Sequence, residues 1–163
     1  MYSASFPSPL GLIDIRCSDA FVHSISFTSE ETLEKSTDGD HPVLKTVLQQ
    51  LQEYFEGKRK TFDLPLQQQG TVFQQRVWNQ LLQIPFGKTI SYLELARKIG
   101  DVKAIRAVGT ANGKNSLAIV VPCHRVIGSN AKLTGYAGGL WRKQWLLEHE
   151  AKYQTGVQLL NFQ

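Results

Sequence analysis

The chain is poor in cysteine. Only Cys17 and Cys123 occur in 163 residues, which excludes the disulfide framework of a small secreted domain. A single bridge between them is possible in principle, but two free thiols with different roles is the favoured reading. No apolar run approaches the ~20 residues that span a bilayer, so no transmembrane helix is expected. Met1–Leu10 lacks a basic start and a long apolar stretch, so no signal peptide is expected either, and the default setting is cytoplasmic. There are no internal repeats, and low complexity is confined to Gln67-Gln68-Gln69. What is present is ordinary for a globular protein: 42% hydrophobic and 20% charged residues, which argues against wholesale disorder. The length suits one generous domain or two small ones.

Charge is unevenly distributed. Met1–Gly70 carries 6 Lys+Arg against 10 Asp+Glu, and Thr71–Gln163 carries 12 against 4. A basic half joined to an acidic half points to a polyanion as partner of the C-terminal part, although a scattered solvated surface gives the same count. The sign changes at Leu64-Pro65-Leu66-Gln67-Gln68-Gln69-Gly70, a polar connector marked by Pro and Gly. The domain boundary is placed there, giving domains 1–70 and 71–163.

In the first part, three short β-rich runs (Tyr2–Phe6, Gly11–Cys17 and Phe21–Phe27) have tight connections and predict an antiparallel meander. Glu30–Gly39 reads as loop. His41–Phe55 has apolar residues at helical spacing and is stopped by Gly57, so the expected unit is a small α+β domain. The second part opens with a helical stripe through Phe73, Val77 and Leu81. Pro85–Lys88 reads as a turn. Ser91 and Glu94 have the spacing of a capping box at the start of a helix ended by Gly100. Asp101 is placed to cap the next helix, which ends near Asn112-Gly113. Two helices joined by a Gly-Asp turn make a helix-turn-helix pattern, weak alone and strengthened by the surrounding basic charge. Leu117–Val121 reads as a buried strand, and the tail as a glycine loop followed by a helix from Leu140 to Glu150. Trp141 and Trp145 are assigned to the core.

The chemistry centres on Cys123, which follows the apolar run and Pro122 and precedes His124. A thiol must lose its proton to become a nucleophile, and a histidine oriented by a carboxylate is the common means. Adjacent residues on an extended segment point apart, but a turn brings them to one side, directly or through a water. Glu150 is the candidate carboxylate, with Glu148 second. For a Cys-His pair alone, a buried cysteine beside a surface histidine remains the plainer reading.

The wider pattern adds more. Pro122-Cys123-His124-Arg125-Val126 resembles the active-site motif of the O6-methylguanine-DNA alkyltransferases, the methylated-DNA–protein-cysteine methyltransferases. Ile90–Ala96, Arg106-Ala107-Val108-Gly109, Asn115, Gly135–Gly139 and Trp145–Glu150 resemble the same family, in order and at familiar spacing. The likeness is strong over Phe73–Glu150 and loose in the N-terminal part.

The resemblance implies an α+β protein: a small antiparallel-sheet, ribonuclease H-like N-terminal domain and a winged-helix-like C-terminal domain. It implies repair of O6-alkylguanine in double-stranded DNA, with O4-methylthymine as a second candidate substrate, by irreversible transfer of the alkyl group to Cys123, once per molecule. His124 and Glu150 would activate the thiol, and Tyr92 would assist the departing guanine. Because the target atom lies inside a duplex, the base must be flipped out. Arg106 would fill the vacated stack, with Ala107 and Gly109 allowing the helix to press on the minor groove and Asn115 and Arg125 completing the DNA-binding set. Tyr92, Asn115, Val126, Tyr136 and Ala137 would line the guanine pocket. For Tyr92 the plainer reading is core packing, and for Arg106 a phosphate contact.

Some family members hold zinc in the first domain. Here only Cys17, His23 and His41 are on offer, without paired spacing, so no metal and no cofactor is expected. Asn115-Ser116-Leu117-Ala118 lacks the prolines that some members carry, which bears on bulky substrates rather than on the reaction. The expected state is a monomer with no membrane partner. The competing functions are a non-catalytic, winged-helix binder of damaged DNA and a thiol hydrolase using Cys123 and His124.

Overall fold

A computed structural model describes residues 1–28, 40–128 and 133–154. The expected Glu30–Gly39 loop lies outside them. The chain divides into two compact units: residues 1–69 with 116–120, and residues 70–115 with 121–163.

The first unit is a three-stranded antiparallel sheet in the order β1 (Tyr2–Ser8), β2 (Gly11–Cys17), β3 (Val22–Thr28), with helix α1 (Pro42–Phe55). Alternation sets its inner face: Ala4 and Phe6 from β1, Ile13, Ile15 and Cys17 from β2, and Val22 and Ile25 from β3 are buried. Leu44, Val47, Leu51 and Tyr54 supply the buried stripe of α1. The helix starts on His41, whose ring accepts from the Val43 N–H, with Pro42 in the first turn, where its missing N–H costs nothing.

The outer edge of β3 is covered twice. Val22 N–H donates to Pro65 O at 2.7 Å and Gln67 N–H to Val22 O at 3.0 Å. Further along, Ile25 N–H donates to Ser116 O at 2.8 Å and Ala118 N–H to Ile25 O at 3.0 Å. The expected strand over Leu117–Val121 is therefore corrected. Leu117, Ile119, Val120 and Val121 are buried as their composition implied, but pairing is limited to a bridge between Leu117 and Ile25. The chain then turns sharply: Val120 N–H donates to Ala118 O across Ile119, which has φ 72°. That is a γ-turn centred on a β-branched residue at positive φ, a strained arrangement that apolar patterning cannot signal.

The second unit is mostly helical: α2 (Val72–Leu81), α3 (Tyr92–Ile99), α4 (Ile105–Gly113) and α5 (Leu140–Tyr153), with a two-stranded parallel pair, β4 (Ile90–Ser91) and β5 (Val126–Ile127). Thr71 and Gln74 form a reciprocal capping box on α2. Ser91 accepts from the Glu94 N–H at the start of α3, and Gly100 at φ 95° ends it. Asp101 caps a short 3-10 turn, Val102–Ala104, that leads into α4. Helices α3 and α4 with this turn are the helix-turn-helix. Val77, Trp78, Leu81, Leu95, Val108 and Leu146 are buried in the unit, and the Trp78 indole donates to Ala111 O at 2.9 Å. Trp141 is 55% exposed, which corrects its assignment to the core; it precedes the buried face of α5 and carries Arg142 over its ring. Among the described residues, no helix is long and apolar enough to cross a membrane.

Candidate active site

Cys123 opens a 3-10 turn, Cys123–Arg125, between Pro122 and β5. Its approach is fixed locally. Pro122 has φ −82° and ψ 64°, and the Cys123 N–H donates to Val121 O at 2.8 Å across it, an inverse γ-turn for which proline presets φ. The Cys123 carbonyl accepts from Asn112 Nδ2 at 3.3 Å. The side chain is nearly buried, and burial pushes its thiol pKa up, against a hydrogen bond from Asn115 and the positive charge of Lys143. At rest the sulfur is therefore a thiol.

The tight turn places consecutive residues in one buried network. His124 is fully buried, and its Nε2 lies 2.7 Å from Glu150 Oε2. The other ring nitrogen, Nδ1, is buried with no hydrogen-bonding partner in the protein. Burial lowers the His124 pKa despite the adjacent carboxylate, so the ring is neutral near neutral pH. Burial opposes the charge on Glu150 too, but His124 and Arg125 outweigh it and hold the carboxyl well below the usual carboxylate range. Glu150 reaches this point from the inner face of α5. It accepts from Arg125 Nε (2.7 Å), Arg125 Nη2 (3.1 Å) and the Gly87 backbone N–H (3.2 Å). The pair at rest is a thiol beside a neutral imidazole that is anchored on one side and open on the other. Such a ring can take a proton at Nδ1 and have the resulting charge met by Glu150.

A second cluster includes Asn115 and Tyr136, which act on the Cys123 sulfur, together with Tyr92 and Val126. Asn115 Nδ2 donates to Val121 O at 2.7 Å. Tyr136 is electrostatically coupled to Cys123: burial raises its pKa well above the usual phenol value, and the thiolate charge adds to that. The Tyr92 hydroxyl donates to Thr134 O at 3.4 Å, a long bond. Val126 is fully buried, and its backbone carbonyl accepts from Lys143. Outside this cluster, Arg106 and Ala107 are exposed on α4. A Cβ built on Gly109 would meet the Tyr92 ring only at 3.9 Å, ordinary contact, so the fold itself does not demand glycine there.

Comparison with known proteins agrees with this geometry. Residues 72–152 match the model of the 6-O-methylguanine DNA methyltransferase DNA-binding domain, and residues 1–68 match that of the same family's ribonuclease-like domain. A methylated-DNA–protein-cysteine methyltransferase of Methanosarcina acetivorans is 44% identical over 92% of this chain and 98% of its own length. The chain belongs to the methylated-DNA–protein-cysteine methyltransferase family. A constitutive member from Bacillus subtilis is 47% identical over 84% of this chain and 87% of its own. Among solved structures, the Mycobacterium tuberculosis O6-methylguanine methyltransferase superposes with TM-score 0.85 at 41% identity, covering 98% of each chain. The M. tuberculosis protein OGT in complex with DNA gives 0.84 at 42% identity, covering 94% of each.

Of the residues expected at the site, the structure joins His124 and Glu150 through a hydrogen bond, with Arg125 on the same carboxylate, and sets Asn115 and Tyr136 near the Cys123 sulfur. It leaves Glu148 on the outer face of α5, bonded to Gln144. One residue is reassigned. Arg125, expected to bind DNA, is 6% exposed, with Nε and Nη2 on Glu150 and Nη1 on Ile84 O at 2.7 Å. Each guanidinium nitrogen is engaged internally, so Arg125 has no free end to offer a phosphate. Its adjacency to Cys123 and His124 in a basic stretch hid this, since a buried bidentate pair has no sequence signature. Arg125→Ala should therefore destabilise the folded chain by about 3–5 kcal/mol through an uncompensated buried carboxylate. A thermal melt and a DNA titration of the variant at low temperature check this, with affinity for undamaged duplex expected to stay near wild type. Two residues were missed altogether, Asn112 and Lys143. Both are buried polar side chains on helices, and nothing in the local sequence marks them as turned inward.

Proposed function

We propose that this chain repairs O6-alkylguanine in duplex DNA by moving the alkyl group onto Cys123, once per molecule. The observation that carries the reading is the buried His124–Glu150 pair, with one imidazole nitrogen left unbonded in the turn that begins at Cys123. His124 takes the thiol proton, through a water where the two do not touch, and Glu150 stabilises the imidazolium. The Cys123 sulfur attacks the alkyl carbon. A C–S bond forms, the C–O6 bond breaks, and the electron pair leaves with the guanine oxygen. Tyr92 donates a proton to the guanine ring nitrogen, and the proton held by His124 returns to the tyrosine through solvent. The thioether product has no route back to a thiol, which makes the chain a reagent rather than a turning-over catalyst.

The helix-turn-helix brings this site to DNA. Arg106 on α4 fills the space of the extruded base, and Ala107 and Gly109 keep the helix surface low enough to approach the minor groove. Tyr136, Ala137 and Asn115 line the base pocket with Tyr92 and Val126. Domain 71–163 holds the chemistry, and 1–70 supports it.

Excess duplex labelled in the O6-methyl group tests the reading. Label should pass to the protein and stop at one methyl per molecule. Continued turnover would favour the thiol hydrolase, and tight binding to the lesion without transfer would favour a non-catalytic damage binder.

A further inference from the structure

Two large apolar side chains are exposed together on the helix-turn-helix. Val102 is 49% exposed in the turn, and Ile105 is 36% exposed at the start of α4. Single apolar residues on a surface are ordinary, but these two are three apart in a helical segment, the spacing that brings side chains onto one face. Lys103 and Arg106, both exposed, flank the pair. Among the described residues, no ion pair engages either cation. Asp101 is the sole acidic residue from Gly100 to Lys114, and its carboxylate is occupied in capping the Lys103 N–H at 3.0 Å. The result is an apolar ridge set among cations.

The rest of α4 sets the direction of this ridge. Val108, Ala111 and Asn112 are the buried side of the helix. At about 100° per residue, Arg106 and Thr110 lie opposite them, and Ile105 and Ala107 fall on the two flanks of Arg106. The flanks differ. Ala107 keeps one of them low. The other carries Ile105 and, one turn on, Gly109, where a Cβ would lie 3.9 Å from the Tyr92 ring. The flank of Ile105 is therefore the one that runs over Tyr92.

Resting on the function proposed above, we infer that Ile105, backed by Val102, is an apolar wedge that packs into the minor groove on the Tyr92 side of Arg106. It covers the deoxyribose and base edges beside the extruded nucleotide, as apolar side chains do where they prop open a base step. Lys103, next to it, meets the phosphate backbone. Duplex DNA fits this ridge better than a second copy of the chain, because a symmetric contact would set Lys103 and Arg106 against their own copies. The two kinds of contact differ in their response to salt. A cation on a phosphate releases counterions, so its contribution fades as salt rises. An apolar contact releases none and contributes the same factor at every salt concentration.

Salt titration separates the two. The affinity of the full chain for a duplex carrying O6-methylguanine is measured from low to high salt, in a Cys123→Ser background that stops transfer. Ile105→Gln and Ile105→Ala should each weaken binding by roughly threefold to tenfold, the range for leaving part of one large aliphatic side chain unburied. The logarithmic salt plot should shift without a change of slope. Lys103→Gln should instead lower the slope by about one. Ile105→Leu should restore most of the affinity, and a single-stranded oligonucleotide, which has no groove, should show little loss for Ile105→Gln. Ile105→Gln that binds the duplex like its parent, a loss that alters the slope, or an equal loss on single strands overturns the inference. So does a dimer of the parent chain that Ile105→Gln dissolves, which would assign the ridge to a second copy. If neither Ile105 variant folds, Val102→Gln decides by the same criteria. Wild type that takes up no methyl from the duplex sinks the proposed function, whereas Ile105→Gln equal to its parent removes the wedge alone.

Discussion

Glu150→Gln should slow methyl transfer by on the order of 10²–10⁴-fold, the range expected when a base loses the group that orients it and meets its charge. The amide keeps the shape of the carboxylate but cannot balance an imidazolium, and it leaves Arg125 without its counter-charge in a buried site. Glu150→Ala should also cost about 3–5 kcal/mol of stability, because it strips partners from Arg125, His124 and the Gly87 N–H together. Single-turnover transfer kinetics and thermal melts check the two effects.

The same network sets a pH dependence. The folded-state pKa of Glu150 lies below its ordinary value of 4.5, so its contribution is present above that value and is lost as pH falls below it. The His124 pKa is also lowered, from 6.5, so the unfolded chain binds that proton first and stability again falls as pH drops below 6.5. Both groups act in the same direction. The acid limb of the transfer rate should have its midpoint below pH 6.5. A midpoint at or above that value would contradict a buried, neutral His124 as the base.

Arg106→Ala is expected to lower repair in duplex DNA by about 10²-fold, since a few kcal/mol of unstacking then goes uncompensated. The side chain is exposed on α4, so the melting temperature should not move. The loss should be much smaller on a single-stranded oligonucleotide, where no base stack has to be refilled. Equal losses on both substrates would instead make Arg106 a simple phosphate contact, and the duplex affinity would then carry a weaker salt dependence.

What the sequence revealed, and what it hid, follows from the range of the interactions. The meander over β1–β3, helix α1 and the Ser91 cap were legible because period-2 alternation, period-3.6 stripes and caps are local rules. The stretch Leu117–Val121 looked like a strand because burial and strand-forming composition coincide there. Its γ-turn at Ile119 depends on hydrogen bonds made with Ile25, ninety-odd positions earlier in the chain. Cys123 and His124 were legible from adjacency, and Glu150 as the candidate carboxylate at the end of the last helix, a choice the motif resemblance then repeated. The identity of Arg125 was visible but its direction was not, because a guanidinium next to a reactive cysteine in a basic domain reads equally as a phosphate ligand or an ion-pair partner until α5 brings Glu150 to it. Lys143 was hidden for a related reason: a lysine in a helix is usually on the solvated face, and nothing local marks one that turns inward onto backbone carbonyls.

The central claim is that Cys123 is the acceptor. It is tested most directly by incubating the full chain with a duplex carrying O6-methylguanine, then measuring intact mass and mapping peptides. The account predicts a gain of one methyl group, located on Cys123, and no gain in folded Cys123→Ser. A methyl group on another residue, or an unchanged mass beside demethylated DNA, would contradict it.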